Sequence, residues 1–340
     1  MIRARRAILI VVVAVHAIVL AAPWLVPYDP AAQQRLLAFA PPSRVHAIDA
    51  QGRWHLRPFV CAIEPSTAIP FRYTEDCSRR YFVRWLVRRT TAAGFTTRES
   101  LRLFSVDEPG EMFLFGTDEF GRDVFSRVLV GARISLVMSI SAVCLSLALG
   151  VVLGSLAGYM GGTVDAIVSG ATELVLALPW LYLLLAARAA MPLSLTPTEA
   201  FVIIMALLGA IGWARPARLV RAVVASARAN DYVTAARTAG ASTPHVLRRH
   251  LLPQLPVVLV PLALQLVPQF ILGETTLSLF GLGVPEPAPS WGTLLASAQR
   301  PQVLVEAWWL LAPVVGLVGI CVMYYTLART LRSGPLVSRL

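Results

Sequence analysis

Lysine is absent from all 340 residues, and every one of the 30 basic positions is arginine. That absence excludes several chemistries. A P-loop needs Gly-Lys-Ser/Thr to reach nucleotide phosphates, so this polypeptide does not hydrolyse ATP by that route. Schiff-base catalysis through a lysine amine is excluded too. Arginine holds its proton at any useful pH, which makes the basic residues poor proton relays. HExxH zinc spacing and a GxSxG nucleophile elbow are also missing, so no catalytic residue and no metal site is expected. Charge itself is scarce. Only 14% of residues are charged against 56% hydrophobic, and the mean hydropathy is +0.67. That balance belongs to a polytopic membrane protein rather than a soluble enzyme. The net charge of +11 lies beside apolar runs, so anionic lipid headgroups or an acidic partner account for it better than nucleic acid.

The apolar runs give an all-α fold with six transmembrane helices. Arg3, Arg5 and Arg6 precede a run over residues 7–26, about the length that crosses a bilayer. It exceeds a signal-peptide core, and Ala21-Ala22-Pro23-Trp24 is a poor cleavage site, so it reads as an uncleaved first span. Further spans are expected at 134–158, 164–187, 200–213, 256–280 and 306–327. The second carries Gly150 and Gly154 at the spacing that lets helices approach closely in lipid. Pro179 is expected to kink the third. Glu173 and Glu274 lie inside spans, where an acid faces the bundle or a watery cavity. For Glu274 both a pathway role and a hydrogen bond to neighbouring helices stay open. Arg215, Arg218 and Arg221 form a stripe at helical spacing, most simply a helix end meeting lipid headgroups.

Residues 28–133 are polar and hold 15 arginines. Turn-rich pieces there predict short strands, and YFVRWLVRRTT at 81–91 mixes aromatics with arginine as a membrane-interface segment does. A small extracytoplasmic insertion is expected, with Cys61 and Cys77 a plausible disulfide if it faces an oxidising compartment. Segments on the side of both termini hold 13 arginines, whereas the short segments opposite hold only Arg188 and Arg300. Long loops escape this charge rule, so both termini and residues 214–254 are assigned to the cytoplasm. The basic tail, 328–340, ends the chain.

Within that cytoplasmic segment, NDYVTAARTAGASTPHVLRRHLLPQ at 230–254 is too polar for a bilayer and reads as two short helices. Asp231 is expected to cap the first. Ala235, Ala236, Ala239 and Gly240 leave one face almost bare, and Gly240 ends the helix. Thr243-Pro244 reads as an N-cap followed by proline at the first helical position, and the second helix stops near Pro253. A bare face permits close approach by another surface, and Tyr232 offers an aromatic anchor.

The stretch YVTAARTAGASTPHVLRRHLLPQ resembles the EAA loop of membrane subunits of binding-protein-dependent ABC importers. Ala235, Ala236, Gly240, Leu252 and Pro253 match in register, while Thr234 replaces the usual glutamate and His250 a common isoleucine. FLFGTDEFGRDVFSRVLVGARISL at 113–136 and GETTLSLFGLGVPEPAPSWGTLL at 273–295 are similar to the dipeptide, oligopeptide and nickel branch, specifically its C-type subunit. The resemblance covers about 113–327 and the first span; residues 28–112 are longer than in shorter members, and the tail lacks that branch's frequent acidic ending. It implies a type I importer permease that binds no cofactor itself. Partners would be a homologous second permease, two cytoplasmic ATPases that bind ATP and magnesium, and an extracytoplasmic solute-binding protein. The EAA loop would be the coupling element.

In the second motif, Gly116, Asp118, Gly121, Arg122 and Asp123 suit a salt-bridged turn ahead of a span. In the third, Trp291 is either an interfacial anchor or part of an outer gate. A secondary transporter using Glu173 and Glu274 as ion-coupled sites is the rival reading.

Overall fold

The computed structural model describes residues 2–49, 51–66, 72–93, 96–192, 194–299 and 305–332. Arg300 and the tail beyond residue 332 lie outside the described residues. In chain order the helices are α1 (Ile2–Leu20), α2 (Val124–Met160), α3 (Gly162–Ala177), α4 (Trp180–Ala190), α5 (Pro197–Ile211), α6 (Ala214–Arg228), α7 (Asp231–Thr238), α8 (Thr243–Val246), α9 (Pro256–Leu279), α10 (Trp291–Ser297) and α11 (Ala312–Arg332). Strands β1 (His46–Ile48), β2 (Trp54–Pro65), β3 (Tyr73–Ala93) and β4 (Thr96–Val106) lie between α1 and α2. The chain divides into two compact units. One comprises Met1–Val12, Leu136–Leu282 and Gly319–Leu340, and the other Val13–Ser135 and Gly283–Val318.

Among the described residues, four helical segments are long and apolar enough to cross a bilayer: Val124–Met160, Pro197–Arg228, Pro256–Leu279 and Trp308–Leu331. The expected kink at Pro179 is a full break. Leu178 and Pro179 leave helical backbone, and α3 and α4 meet at 87°. Pro179 has no N–H to give Val175, so the helical ladder stops there. The first run is interrupted as well. Helix α1 ends at Leu20, and a separate four-residue helical turn, Ala22–Leu25, follows with Pro23 near its start. The second span begins ten residues earlier than expected, at Val124. The last helix begins at Ala312, after a 3-10 turn at Trp308–Leu311 and with Pro313 in its first turn.

In the first unit α2 and α6 pack without side chains between them. Gly150, Gly154 and Gly158, one per turn of α2, face Pro216, Ala217, Val220, Arg221 and Val224 of α6. A Cβ at Gly154 would lie 2.5 Å from the Ala217 carbonyl oxygen, and one at Gly158 2.6 Å from that of Arg221. This is close small-residue packing of the kind lipid-embedded helices use.

The second unit departs from an all-α fold. An antiparallel sheet in the order β1-β2-β3-β4 fills most of residues 46–106. Only β1 is short: β2, β3 and β4 run for 12, 21 and 11 residues. The stretch expected at the membrane interface, 81–91, is the middle of β3, because Tyr, Phe, Val, Trp and Thr favour a pleated surface over a helix. Val60, Val83, Phe104, Val106 and Met112 form its buried apolar cluster. Cys61 and Cys77 are joined by a disulfide across β2 and β3, with Cα atoms 4.6 Å apart. Asp49, buried at the β1–β2 turn, accepts the amides of Arg53 at 2.8 Å and Gln51 at 3.0 Å and also meets His55 and Arg80. The Arg53 amide, helped by His55, Gln51 and Arg80, outweighs burial and holds the Asp49 carboxyl well below the usual carboxylate range.

Candidate functional site

The loop at 230–254 stands on an apolar floor. Val233, Val246, Leu251 and Leu255 are fully or nearly fully buried with Val220, Val224 and Ala227 of α6 and Tyr159 at the end of α2. Asn230, not Asp231, is the N-cap of α7; Asp231 is its first residue and sets a negative charge at the positive end of the helix dipole. At the other end the Gly240 amide donates to the Arg237 carbonyl and the Ala241 amide to that of Ala236, both at 3.0 Å. These two bonds make a Schellman motif, and Gly240 takes the φ of +87° that the motif requires. The following cap is shifted one residue from expectation. Ser242 is the N-cap, Thr243 the first helical residue and Pro244 the second. The chain then widens into a π turn at Leu247–Leu251 and tightens into a 3-10 turn at Leu252–Gln254.

Of the residues singled out here, Tyr232, Ala235, Ala239, Gly240 and Pro253 are exposed. Ala236 is not part of that outer face: it is half-buried and packs on the apolar floor with Ala241. A Cβ added at Gly240 would meet nothing within 4 Å. Tyr232 is held in place, because Gln254 Nε2 donates to its hydroxyl at 2.7 Å and to the His250 carbonyl at 2.8 Å. His250, which departs from the family pattern, lies 6.0 Å from the Tyr232 ring. The guanidiniums of Arg228 and Arg237 flank Tyr159 at 6.0 and 5.9 Å, tying α6 and α7 to the end of α2.

Arg215 and Arg218 of the α6 stripe are exposed and Arg221 is half-buried, yet two of the three find partners within the unit. Arg221 forms an ion pair with Asp165 of α3, its Nη2 2.6 Å from Oδ2. Arg215 Nη1 donates to Gln269 of α9 at 3.2 Å. Arg218 lines a cavity of about 220 Å³ with Ser169, Thr172 and Glu173, and Glu173 is exposed there. Within this unit the partner of Arg221 is thus Asp165 and that of Arg215 is Gln269. Glu274 is fully buried and accepts the Ser278 hydroxyl at 2.9 Å.

In the second unit the 116–127 turn is a knot of buried charge. Asp118 Oδ1 accepts the amides of Phe120 at 2.9 Å and Arg122 at 3.0 Å, while its Oδ2 accepts Arg122 Nε at 2.7 Å. Arg127 also pairs with Asp118, and Glu286 bridges both arginines, 2.6 Å from Arg122 and 3.1 Å from Arg127. Gly116 and Gly121 adopt φ of +66° and +72°, and a Cβ at Gly121 would collide with the Gln34 carbonyl. Asp123 caps α2, accepting the Ser126 amide at 2.9 Å and hydroxyl at 2.5 Å. Local spacing missed Arg127 and Glu286, although both lie inside the quoted motifs. Trp291 is buried in this unit, donating its indole N–H to the Val128 carbonyl at 3.0 Å and its amide to Ser135 at 3.2 Å.

Burial pushes the Asp123 carboxyl up to about 6, against the opposing hydrogen bonds of Ser126. Its Oδ1 has no hydrogen-bond partner among the described residues. A folded pKa above the unfolded value means stability that is full below about 4 and is lost as pH rises through about 6. Asp123→Asn keeps the cap and removes the titration. It is expected to flatten the fall in melting temperature between pH 3.5 and 7, a difference equivalent to about 2–3 kcal/mol.

These features define a polytopic membrane protein whose polar loop presents a bare helical face on a fixed apolar base. Residues 150–334, more than half of the chain, match the model for the binding-protein-dependent transport system inner membrane component family. The chain belongs to that family. It is 38% identical over 213 residues to the oligopeptide transport system permease protein OppC of Bacillus subtilis (strain 168), covering 62% of this chain and 67% of that protein. It is 39% identical over 227 residues to the di/tripeptide transport system permease protein DppC of Pseudomonas aeruginosa (strain UCBPP-PA14), covering 66% and 70%. With the dipeptide transport system permease protein DppC of Bacillus subtilis (strain 168) it shares 38% over 196 residues, covering 57% and 59%. The matched region thus spans between 59% and 70% of these relatives. A solved structure titled as an amino acid ABC transporter with histidines aligns over 64% of this chain and 95% of its own, at 18% identity and a TM-score of 0.42.

Proposed function

We propose that the chain is the C-type permease subunit of an ABC importer for di- or oligopeptides. It contributes part of the translocation pathway and couples to a separate cytoplasmic ATPase through residues 230–254. The observation that carries this reading is the exposed set Tyr232, Ala235, Ala239, Gly240 and Pro253 mounted on the buried cluster of Val233, Val246, Leu251 and Leu255. A face without side-chain bulk accepts a close-fitting partner, and a rigid base passes the partner's movement into α2 and α6. The names of the relatives support the peptide class. Six spans follow if α1, the bent α3–α4 pair and the four long segments each cross once. The distribution of arginines then places both termini and the loop in the cytoplasm, and residues 28–133 with their disulfide outside. The partners would be a homologous second permease, two ATPases that hold ATP and magnesium, and an extracytoplasmic solute-binding protein.

The reading is tested in proteoliposomes holding the permease pair and the ATPases, with peptide-loaded binding protein. Peptide uptake is expected only with ATP. Uptake driven by an imposed ion gradient in its absence would support a secondary transporter instead.

A further inference from the structure

The break between α3 and α4 borders a cavity of about 410 Å³, whose wall includes Val175, Trp180, Leu208, Arg215, Gln269 and Phe270. Most of its wall is apolar, as small-molecule sites are, and its size suits a short peptide. Two polar features interrupt that wall. At one, the helix α3 ends in carbonyls, and Val175 has lost its helical partner to Pro179. That end carries the negative pole of the α3 dipole.

The other feature is Arg215. Gln269, its hydrogen-bond partner, lies more than halfway along α9, so this guanidinium stands against a membrane-spanning helix. An arginine at such a position ordinarily finds an acid. Arg221, two turns along α6, has Asp165, and Arg122 has Asp118 and Glu286. Among the described residues Arg215 has no carboxylate partner, only the neutral amide of Gln269. An exposed cation with no carboxylate partner among the described residues and a helix carbonyl end, both bordering one largely apolar cavity, are complementary to a zwitterion.

We infer that this cavity is a transit site for short zwitterionic peptides. Arg215 and Gln269 take the C-terminal carboxylate, and the carbonyl end of α3 faces the ammonium. The guanidinium offers paired donors to a carboxylate, which the single amide of Gln269 does not replace. The inference rests on the peptide-importer reading and adds to it a residue that selects for the charged terminus.

The test uses the complete complex in proteoliposomes, with trialanine as the probe. Arg215→Met is expected to assemble in wild-type yield and to lower ATP-dependent trialanine uptake about tenfold. Arg215→Lys, which keeps the charge, is expected to recover at least half of the uptake, and Gln269→Leu to lose two- to threefold. Uptake by Arg215→Met within twofold of wild type overturns the site. So does loss of the assembled complex in Arg215→Met with its retention in Arg215→Lys, because the counter-ion is then an acid on a partner subunit. If the wild-type complex takes up no trialanine with ATP while its binding protein holds trialanine, the importer reading fails rather than the site.

Discussion

Gly154→Leu is expected to leave almost no folded protein. The Cβ alone would stand 2.5 Å from the Ala217 carbonyl oxygen and 2.9 Å from Val220 Cβ, and neither the backbone nor a β-branched stem can swing away. Helices α2 and α6 would have to separate. Overpacking of this sort costs about 1–3 kcal/mol when side chains can yield and more where backbone blocks the way. Because total stability is only about 5–15 kcal/mol, a loss above about 3 kcal/mol sharply lowers the yield of folded subunit. Gly154→Ala should give an intermediate loss. The check is the yield and melting temperature of the purified subunit in detergent. Wild-type values for Gly154→Leu would mean that α2 and α6 do not meet at this glycine.

The second large effect is expected at Asp118. Asp118, Arg122 and Arg127 have side chains only 3%, 4% and 1% exposed, whereas that of Glu286 is 51% exposed. Removing one member of a buried pair strands its partner, at a cost of about 3–5 kcal/mol. A half-exposed partner shares its arginines with water and contributes about 1 kcal/mol or less. Asp118→Ala should therefore destabilise the 116–127 turn far more than Glu286→Gln, although each removes a negative charge from the same pair of arginines. Asp118 also accepts the amides of Phe120 and Arg122, and the alanine leaves both without a partner. Thermal unfolding of the two variants side by side decides the matter. Equal losses would show that charge count, and not burial, sets the energetics of the turn.

Local chemistry was legible in the sequence. Gly240 is marked as a helix terminator by what only glycine does at positive φ, and the structure gives it that geometry. The bounds of the polar loop follow from hydropathy, and its floor from apolar residues such as Val233 and Val246 at positions that face α6. What spacing could not give was the third dimension. Small size groups Ala236 with Ala235 and Ala239, but consecutive residues of a helix point about 100° apart, and Ala236, three residues from the buried Val233, falls on the floor side. The α6 arginines look like a lipid-facing stripe because nothing local shows that Asp165 and Gln269 come to meet them. Glu286 lies 159 residues from Arg127, so no window of sequence joins them. The long β3 was missed for a related reason. Arginines interspersed with aromatics suit both a membrane-interface segment and a sheet strand, and only pairing with β2 and β4 selects the strand.

The central claim is that the bare face of α7 docks on an ATPase. Gly240 tests it most directly, because a side chain there meets nothing within 4 Å of its Cβ in this chain. Any residue other than glycine bears the backbone strain of its positive φ, about 1–3 kcal/mol, so Gly240→Ala serves as the control for Gly240→Trp. The measurement is ATP hydrolysis stimulated by peptide-loaded binding protein, together with peptide uptake, in the assembled complex. Gly240→Ala should keep at least half of both activities, and Gly240→Trp should lose both by more than tenfold. Equal activities in the two variants would contradict the account, because the face of α7 would then carry no partner.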